Sequence, residues 1–168
     1  VTTVEIKSGY GLDLESERKM LKVARRVGRA LGVTVRTSYL ALHALPFDAG
    51  DRAAYLNDAI DVWLPQLAAE GLVDSVDAYH ESIAFSSDEV ARLFEAARQL
   101  KLPLRLHADQ LSDQHGAALA AKFHALSADH LEYTNAAGVA AMAAAGTVAV
   151  LIPAAYLVLK ETRNPPIA

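Results

Sequence analysis

The stretch Leu104–Gln110 reads LRLHADQ, and its alternation decides the fold of the 168-residue chain. Successive side chains of a β-strand point to opposite faces, so the two leucines are predicted to face covering helices. Arg105, His107 and Asp109 would then face the opposite side, where ionisable groups need partners or a wet opening. A buried strand with polar groups at its carboxyl end is typical of a (β/α) barrel.

Similar short apolar runs recur along the chain and alternate with longer helical patterns. The predicted strands are Thr3–Ser8, Thr34–Leu42, Ser75–His80, Leu104–Ala108, Ala125–His130 and Thr147–Ile152. Strand, helix and strand repeated five times imply parallel strands, because each crossover returns the chain to the same edge. Two architectures fit this pattern, an open doubly wound sheet and part of a (β/α)8 barrel.

Helical periodicity and capping residues mark the segments between the strands. The predicted helices run from Leu14 to Leu31, Asp51 to Glu70, Ser86 to Leu100, Ala117 to Phe123 and Thr134 to Ala145. Asp13 suits the N-cap of the first helix and Gly32 its C-terminal cap. Pro65 is predicted to kink or split the second helix, because proline lacks the amide hydrogen that a helix interior uses.

Two features favour the barrel over the open sheet. No glycine-rich phosphate loop follows any strand, since Gly9-Tyr10-Gly11 lacks the spacing of a dinucleotide fingerprint. Polar side chains also collect at the ends of many different strands, namely Tyr10, His43, His80 with Glu81, His107 with Asp109, and Asp129 with His130. We therefore predict an α/β fold that forms part of a TIM-type barrel. Glu5 and Lys7 would face its axis, where Glu5 is expected to have a basic partner.

Composition excludes several classes of function. Hydrophobic residues make up 52% of the chain and charged residues 21%, a balance typical of globular proteins. The net charge of -4 and the lack of a basic cluster argue against nucleic acid as a partner. The absence of cysteine excludes disulfides and thiolate sites, and fits the cytosol. The apolar run Val139–Leu159, which Gly146 and Pro153 interrupt, is interpreted as a buried helix leading into a buried strand rather than a membrane span.

Several residues at the strand ends are candidates for chemistry. His107 suits a metal ligand, with Asp109 nearby to orient it or to move a proton. His130 suits a group that donates a proton to, or polarises, a reacting carbonyl. Tyr10 and His43 would contact a substrate at the mouth. Packing without a ligand is the competing interpretation for four of these residues, and residue type alone leaves it open for His107, His130, Tyr10 and His43.

Six strings, in order along the chain, resemble the imidazolonepropionase family of the amidohydrolase superfamily. They are EIKSGYGLD from Glu5, ALHALP from Ala41, LHADQLS from Leu106, LSADHLEY from Leu126, MAAAGTVAVLIP from Met142 and KETRNPP from Lys160. Each string is short, but they are distributed over nearly the whole chain, from Glu5 to Pro166. The resemblance implies a hydrolase that opens the ring of 4-imidazolone-5-propanoate to N-formimidoyl-L-glutamate in histidine degradation.

The resemblance also implies roles for individual residues. His107 matches a ligand of one zinc or iron ion, whose bound water attacks the ring carbonyl. Substrate-contacting positions of the family match Tyr10, His43, Gln110 and His130, and the catalytic candidates are His130, Asp109 and Gln110. The implied enzyme is cytoplasmic, acts on a small molecule, binds neither nucleic acid nor membrane, and is expected to form a homodimer.

The chain also departs from the pattern of the family. Gln110 stands where some members carry glutamate, and glutamine cannot take a proton, so the base would be Asp109, His130 or a group elsewhere. His80 stands where cysteine is expected. The family's His-x-His pair and its later aspartate are missing, which predicts that residues 1–168 form one segment of the barrel, about strands two to seven, lacking the first and last strands. Such a segment alone is expected to bind metal weakly and to be inactive.

Three alternatives are weighed against this hypothesis. A purine-type aminohydrolase of the same superfamily would share the metal chemistry but would differ at Tyr10 and His43. A non-catalytic fragment of the barrel would act through binding or oligomerisation. A phosphate-binding α/β domain is disfavoured because no glycine-rich loop is present.

Overall fold

The computed structural model describes residues 1–47 and 50–166. It divides into two compact units, which are described separately below. Unit 1 consists of Val1–Ala78 and Asp88–Pro103, and unit 2 consists of Tyr79–Ser87 and the described part of Leu104–Ala168.

Unit 1 is built on parallel strands with helical crossovers. Its elements are β1 (Thr3–Lys7), α1 (Leu14–Leu31), β2 (Thr34–Leu42), α2 (Arg52–Asn57), a π-helix (Asp58–Trp63), α3 (Leu64–Ala69), the first part of β3 (Ser75–His80), and α4 (Ser87–Gln99) from its second residue onward. β1 pairs with β2 in parallel, with Thr3 opposite Thr34. β2 pairs in parallel with β3, with Ser38 opposite Ser75.

Helix α1 has the bounds that its capping residues predict. The Asp13 carboxylate accepts a hydrogen bond from the Ser16 amide at 2.9 Å, which satisfies one of the free amides of the first turn. Gly32 adopts the left-handed conformation at φ 63° and donates its amide to the carbonyl of Gly28. The helix therefore ends where a residue without a side chain permits the left-handed turn.

The split predicted at Pro65 is confirmed. Helix α2 passes into the π-helix at Asp58, and α-helical geometry resumes at Leu64, with Pro65 in the first turn of α3. Proline cannot donate an amide hydrogen bond and clashes with the carbonyl four residues earlier, so the wider π turn accommodates it. The π-helix is held to β2, since the hydroxyl of Tyr39 donates to the carbonyl of Ala59 at 2.8 Å.

The charged residues of β1 are paired, as the sequence predicts. Lys7 Nζ lies 3.3 Å from a Glu5 carboxylate oxygen and 2.5 Å from Oδ2 of Asp77, whose side chain is fully buried. The hydroxyl of Ser38 also bonds to Glu5. One lysine shared between two carboxylates offsets the cost of burying these charges.

Unit 2 continues the parallel pattern. Its elements are the end of β3 (Tyr79 and His80), β4 (Arg105–Ala108), α5 (Gly116–Lys122), β5 (Ser127–His130), α6 (Ala136–Ala145), β6 (Val148–Val150) and α7 (Pro153–Val158). Tyr79 lies opposite His107 in the β3–β4 pair, and Ser127 lies opposite Val148 in the β5–β6 pair. Strand order within the unit follows the chain.

The predicted burial of α6 and β6 is wrong. Only Gly138 and Met142 are buried in α6, and Val148 in β6 is 59% exposed. Within the described residues β6 pairs only with β5, so apolar composition there does not lead to burial. Over the same residues, none of the helices combines the length and the apolar character that a membrane crossing requires.

Candidate active site

The pairing of β4 with β5 brings together the polar residues of unit 2. His107 lies opposite Asp129, and Ala108 lies opposite His130. The imidazoles of His107 and His130 have their ring centroids 5.3 Å apart at an interplanar angle of 47°. The two rings are therefore neighbours at the ends of β4 and β5, although His130 lies opposite Ala108 in the pairing.

His107 and Asp129 are suited to hold a metal ion together. A ring nitrogen of His107 and a carboxylate oxygen of Asp129 lie within 4.8 Å of each other. Imidazole nitrogen and carboxylate oxygen are common ligands of zinc and of non-haem iron. A catalytic site usually takes three protein ligands, so this pair fits part of a metal site and needs further donors.

The carboxylate of Asp129 is oriented by its own strand and the neighbouring strand. The Ser127 hydroxyl donates to Oδ1 of Asp129 at 3.1 Å. The Arg105 guanidinium donates in turn to the Ser127 hydroxyl at 2.9 Å. Arg105 and Ser127 therefore fix the rotamer of a buried carboxylate next to His107.

A left-handed pair of residues carries the chain out of β5. His130 has φ 81° and Leu131 has φ 72°, a conformation that is uncommon for residues other than glycine. The amide of Leu131 donates to the carbonyl of Ala108 at 3.1 Å, which holds the turn against β4. The turn leaves the His130 side chain 6% exposed beside His107. Backbone strain of this kind is concentrated at functional sites.

Tyr79 completes the aromatic surroundings of His107. Its ring meets the imidazole edge to face, with centroids 6.2 Å apart. Burial raises the pKa of Tyr79 to about 12, and the nearby carboxylates of Glu81 and Glu132 add to the shift. The phenol therefore stays protonated at neutral pH and keeps its capacity to donate a hydrogen bond.

Asp109 does not continue the alternation of β4. The strand ends at Ala108, and Asp109 has φ 51°. Its carboxylate, 1% exposed, accepts hydrogen bonds from two amides at the start of α5, from a loop amide and from a hydroxyl. These donors are Gly116 N at 2.8 Å, Ala117 N at 3.1 Å, Gln114 N at 3.2 Å and Thr134 Oγ1 at 2.8 Å. The expectation that Asp109 faces the same side as His107 by strand alternation is therefore wrong, because the backbone turns first.

The loop that carries Gln110 is anchored by a buried acid. Glu81 is 3% exposed and accepts hydrogen bonds from Leu111 N at 2.7 Å, Ser112 N at 3.0 Å and Ser112 Oγ at 2.6 Å. Burial acts to raise the pKa of Glu81, but the hydrogen bonds from Ser112, Leu111 and Ser82 prevail and lower it below its ordinary value. The ionised carboxylate therefore fixes the backbone that follows half-buried Gln110.

Acid is expected to release this loop. Since the pKa of Glu81 is lowered in the folded state, its ionised carboxylate stabilises the fold at pH values above the unfolded-state pKa of about 4.3. This stabilisation is lost as pH falls through the folded-state pKa. Amide exchange of Leu111 and Ser112, corrected for intrinsic rates, should lose protection as pH falls through the folded-state pKa of Glu81. The Glu81→Gln variant should show weaker protection without that pH dependence. Equal acid sensitivity in both proteins would contradict the role of Glu81.

His80 has a structural environment. It is 2% exposed, and its Nε2 lies 2.9 Å from the hydroxyl of Ser87. Burial lowers the pKa of His80, although the charges of Asp109 and Glu81 oppose that shift. A neutral, buried imidazole at this position links the end of β3 to the start of α4.

Tyr10 and His43 lie together in unit 1. Their rings meet edge to face with centroids 4.9 Å apart, and Tyr10 is 72% exposed. His43 Nδ1 lies 3.0 Å from the carbonyl of Gly9, so Nδ1 carries the proton in that bond. In the neutral ring this places the lone pair on Nε2.

A second buried acid shapes the loop that presents Tyr10. Glu17 in α1 is fully buried and accepts the amides of Gly9 at 2.7 Å, Gly11 at 3.0 Å and Leu12 at 2.9 Å. Gly9 has φ 97°, and a Cβ there would lie 2.4 Å from the carbonyl oxygen of Leu40. Glycine is therefore required at this position, since a side chain would displace the loop from β2.

The predicted site residues thus fall into two groups. His107, Asp109, Gln110 and His130 lie in unit 2, and Tyr10 and His43 lie in unit 1. Their roles in binding and catalysis stay predictions. The anchoring by Glu17 and Glu81 was not foreseen, because a buried acid that binds loop amides has no periodic pattern in the sequence. The place of Asp129 opposite His107 could have been found by aligning the ends of the two strands.

The relatives with similar sequences all have the same name, imidazolonepropionase. The chain is 60% identical over 168 residues to the imidazolonepropionase of Brucella anthropi, and the match covers 99% of this chain and 42% of the relative. It is 61% identical to the imidazolonepropionase of Ralstonia nicotianae and 58% identical to that of Mesorhizobium japonicum, with 41% of each covered. The chain therefore spans about two fifths of the length of these relatives. No protein-family model matches it.

Solved structures with a similar fold have more distant sequences. Guanine deaminase from C. acetobutylicum with bound guanine gives a TM-score of 0.67 at 14% identity, over 95% of this chain and 41% of that protein. Arabidopsis ADAL complexed with IMP gives 0.68 at 10% identity, over 96% of this chain and 49% of that protein. The fold class predicted from the sequence, six parallel strands that alternate with helices as part of a (β/α)8 barrel, is confirmed.

Proposed function

We propose, on the premise that this chain is a segment of an imidazolonepropionase sequence, that it supplies part of the active site of a cyclic-amide hydrolase. The substrate is 4-imidazolone-5-propanoate, and the product of ring opening is N-formimidoyl-L-glutamate. Water adds to the ring carbonyl carbon, and the bond from that carbon to the ring nitrogen breaks. The nitrogen leaves with a proton, and the carbon becomes a carboxylate.

One observation carries the proposal. The β4–β5 register sets His107 opposite Asp129 and brings the His130 ring to 5.3 Å from the His107 ring. The pair proposed to bind the metal and a second imidazole then lie next to each other at the ends of two neighbouring strands. Hydrolysis of an amide by activated water needs such an arrangement, with a site for the ion and a neighbouring group for the carbonyl or the proton.

His107 and Asp129 would together hold a zinc or iron ion. The ion, when bound, lowers the pKa of water and polarises the carbonyl. Arg105 and Ser127 hold the Asp129 carboxylate in place for this role. Since two ligands are fewer than a catalytic ion needs, residues 1–168 alone are proposed to bind metal weakly and to lack turnover.

The remaining roles follow from the chemistry of each side chain. His130 binds and polarises the ring, and its burial strengthens a hydrogen bond to the substrate. Gln110 binds substrate through its amide and does not act as a base. Tyr10 and His43 are proposed as substrate contacts, with the exposed phenol and the Nε2 lone pair as polar groups.

The general base is proposed to be His130. The Asp109 carboxylate already accepts four hydrogen bonds, from Gln114, Gly116, Ala117 and Thr134, which engage its oxygen atoms in the framework around the start of α5. Neutral imidazole accepts a proton near neutral pH, and His130 lies beside the metal-ligand pair.

The setting of the enzyme is proposed from composition. A negative net charge and the absence of cysteine suit a cytoplasmic enzyme of metabolism with a small-molecule substrate. We propose neither nucleic acid nor a membrane as a partner, and we propose a homodimer as the assembly.

Turnover by the complete protein tests the proposal. Purified protein is assayed with imidazolone propionate and with guanine, after loading with zinc or with iron in separate samples. We expect kcat/KM for imidazolone propionate to exceed that for guanine by about 10,000-fold, because a site built for polar substrate groups rejects a ring that leaves them unpaired. Preference for guanine would establish the purine-type alternative, and absence of turnover on both would establish the non-catalytic one.

A further inference from the structure

A buried carboxylate in unit 1 holds the loop between β1 and α1. Glu17, near the start of α1, is fully buried, and the loop from Gly9 to Leu12 folds around its side chain. Oε2 accepts the amide of Gly9 at 2.7 Å, and Oε1 accepts the amides of Gly11 at 3.0 Å and Leu12 at 2.9 Å. Amides grouped in this way form a concave site for an anion, and here the chain itself supplies the anion.

Gly9 connects this carboxylate to His43. Its amide donates to Glu17, and its carbonyl lies 3.0 Å from Nδ1 of His43. Because a carbonyl can only accept a hydrogen bond, Nδ1 carries the proton, and Nε2 is the unprotonated nitrogen of the neutral ring. The hydrogen bonds of Glu17 therefore reach the tautomer and the orientation of His43 through one residue.

The same loop determines where Tyr10 lies. This residue stands between two amides that Glu17 binds, and its ring meets that of His43 edge to face at 4.9 Å. A Cβ at Gly11 would lie only 2.3 Å from Cβ of Ser16, so the loop also packs closely against α1. The Tyr10 ring itself is largely exposed, and the anchored backbone on both sides of it sets its place.

We propose that Glu17 is a positioning residue, which holds Tyr10 and His43 as one preorganised pair for a polar group of the substrate. The role of this pair in binding substrate rests on the proposed function, whereas the positioning itself does not. Glu17 is fully buried and acts through Gly9. A site that is correctly arranged only part of the time binds more weakly by that fraction, so the anchored loop strengthens binding.

Glu17→Gln in the complete protein tests the effect on binding. Glutamine has a similar shape, but an NH2 group replaces one carboxylate oxygen and cannot accept a hydrogen bond from an amide. The side chain can then hold either Gly9 or the other two amides, and part of the loop is released. We expect KM for imidazolone propionate to rise about tenfold and kcat to change by less than about threefold, because binding is weakened equally before and during the reaction.

Glu15→Gln is the matched control, since it makes the same change on the same helix. Glu15 is exposed and pairs with Arg18 on the surface of α1. KM and kcat should both stay as they are in the unsubstituted protein. A general loss of stability caused by changing an acid in this helix would lower the amount of active protein without raising KM.

NMR of the complete protein with isotope-labelled histidine measures the positioning directly and without substrate. The signals of His43 are assigned from their loss in His43→Asn. We expect the Nδ1-protonated tautomer in the unsubstituted protein and in Glu15→Gln, as the hydrogen bond to Gly9 requires. Glu17→Gln should show a mixture of both tautomers, because Gly9 is no longer fixed.

The outcomes separate this inference from the proposed function. No turnover of imidazolone propionate by the unsubstituted protein would contradict the proposed function alone, and the tautomer of His43 would still decide the role of Glu17. Normal turnover with an unchanged KM in Glu17→Gln, or an unchanged tautomer there, would overturn the inference alone. If Glu17→Gln fails to fold, the unsubstituted protein decides, since an Nε2-protonated His43 in it would also overturn the inference.

Discussion

Replacing His107 with asparagine in the complete protein is expected to abolish most metal binding and to lower kcat/KM by about 1,000-fold. Asparagine shortens the side chain and replaces the imidazole nitrogen, so Asp129 loses the partner with which it would hold the ion. Loss of outer groups around a metal already costs roughly 10–100-fold, and loss of a direct ligand costs more. Metal content by mass spectrometry and turnover of imidazolone propionate measure the two effects.

His124 offers a matched control for this substitution. It is an exposed histidine with φ 52°, a conformation that asparagine tolerates well. His124→Asn should keep full metal content and activity. Normal metal content in His107→Asn would remove this residue from the metal site, and normal activity in that variant would contradict the proposed function.

Much of the fold could be predicted from local sequence patterns, because several residues within each element indicate the same structure. The bounds of α1, β2 and β3 agree with those expected from capping residues and β-branched runs. The exposure of Val148 was not predictable, because it depends on which elements cover β6 and not on the composition of β6. Helix α7 was not predicted either, since Pro153–Val158 is short and follows an apolar run that favours a strand.

The site shows the same division between periodic and irregular structure. Parallel pairing of β4 with β5 places Asp129 opposite His107, but it places His130 opposite Ala108, so the contact of the two imidazole rings depends on the positive φ of His130 and not on strand alternation. Asp109 lies one residue beyond its strand, where a positive φ breaks the alternation. Glu132 lies beyond two residues with positive φ, His130 and Leu131, and its burial could not be derived from spacing. Sequence reasoning therefore located the ends of the strands but not the direction of the side chains that follow them.

Asp109→Ala is expected to lower the free energy of unfolding by about 3–5 kcal/mol, because several charge-assisted hydrogen bonds are lost together. The carboxylate joins the end of β4 to the first amides of α5 and to Thr134 after β5. Without it, two helix amides and a hydroxyl lose their acceptor in a buried place. Chemical denaturation of the complete protein, followed by circular dichroism, measures the change.

Two comparisons distinguish this structural role from a role as catalytic base. Asp109→Asn keeps one acceptor oxygen, so it should cost about half as much stability and retain measurable turnover once folded. The exposed Asp88, in the first turn of α4, provides the control, and Asp88→Ala should cost less than about 1 kcal/mol. If Asp109→Asn were as stable as the unsubstituted protein but inactive, the carboxylate would act in the chemistry and not in the framework. Since four donors already converge on it, we expect stability and activity to fall together.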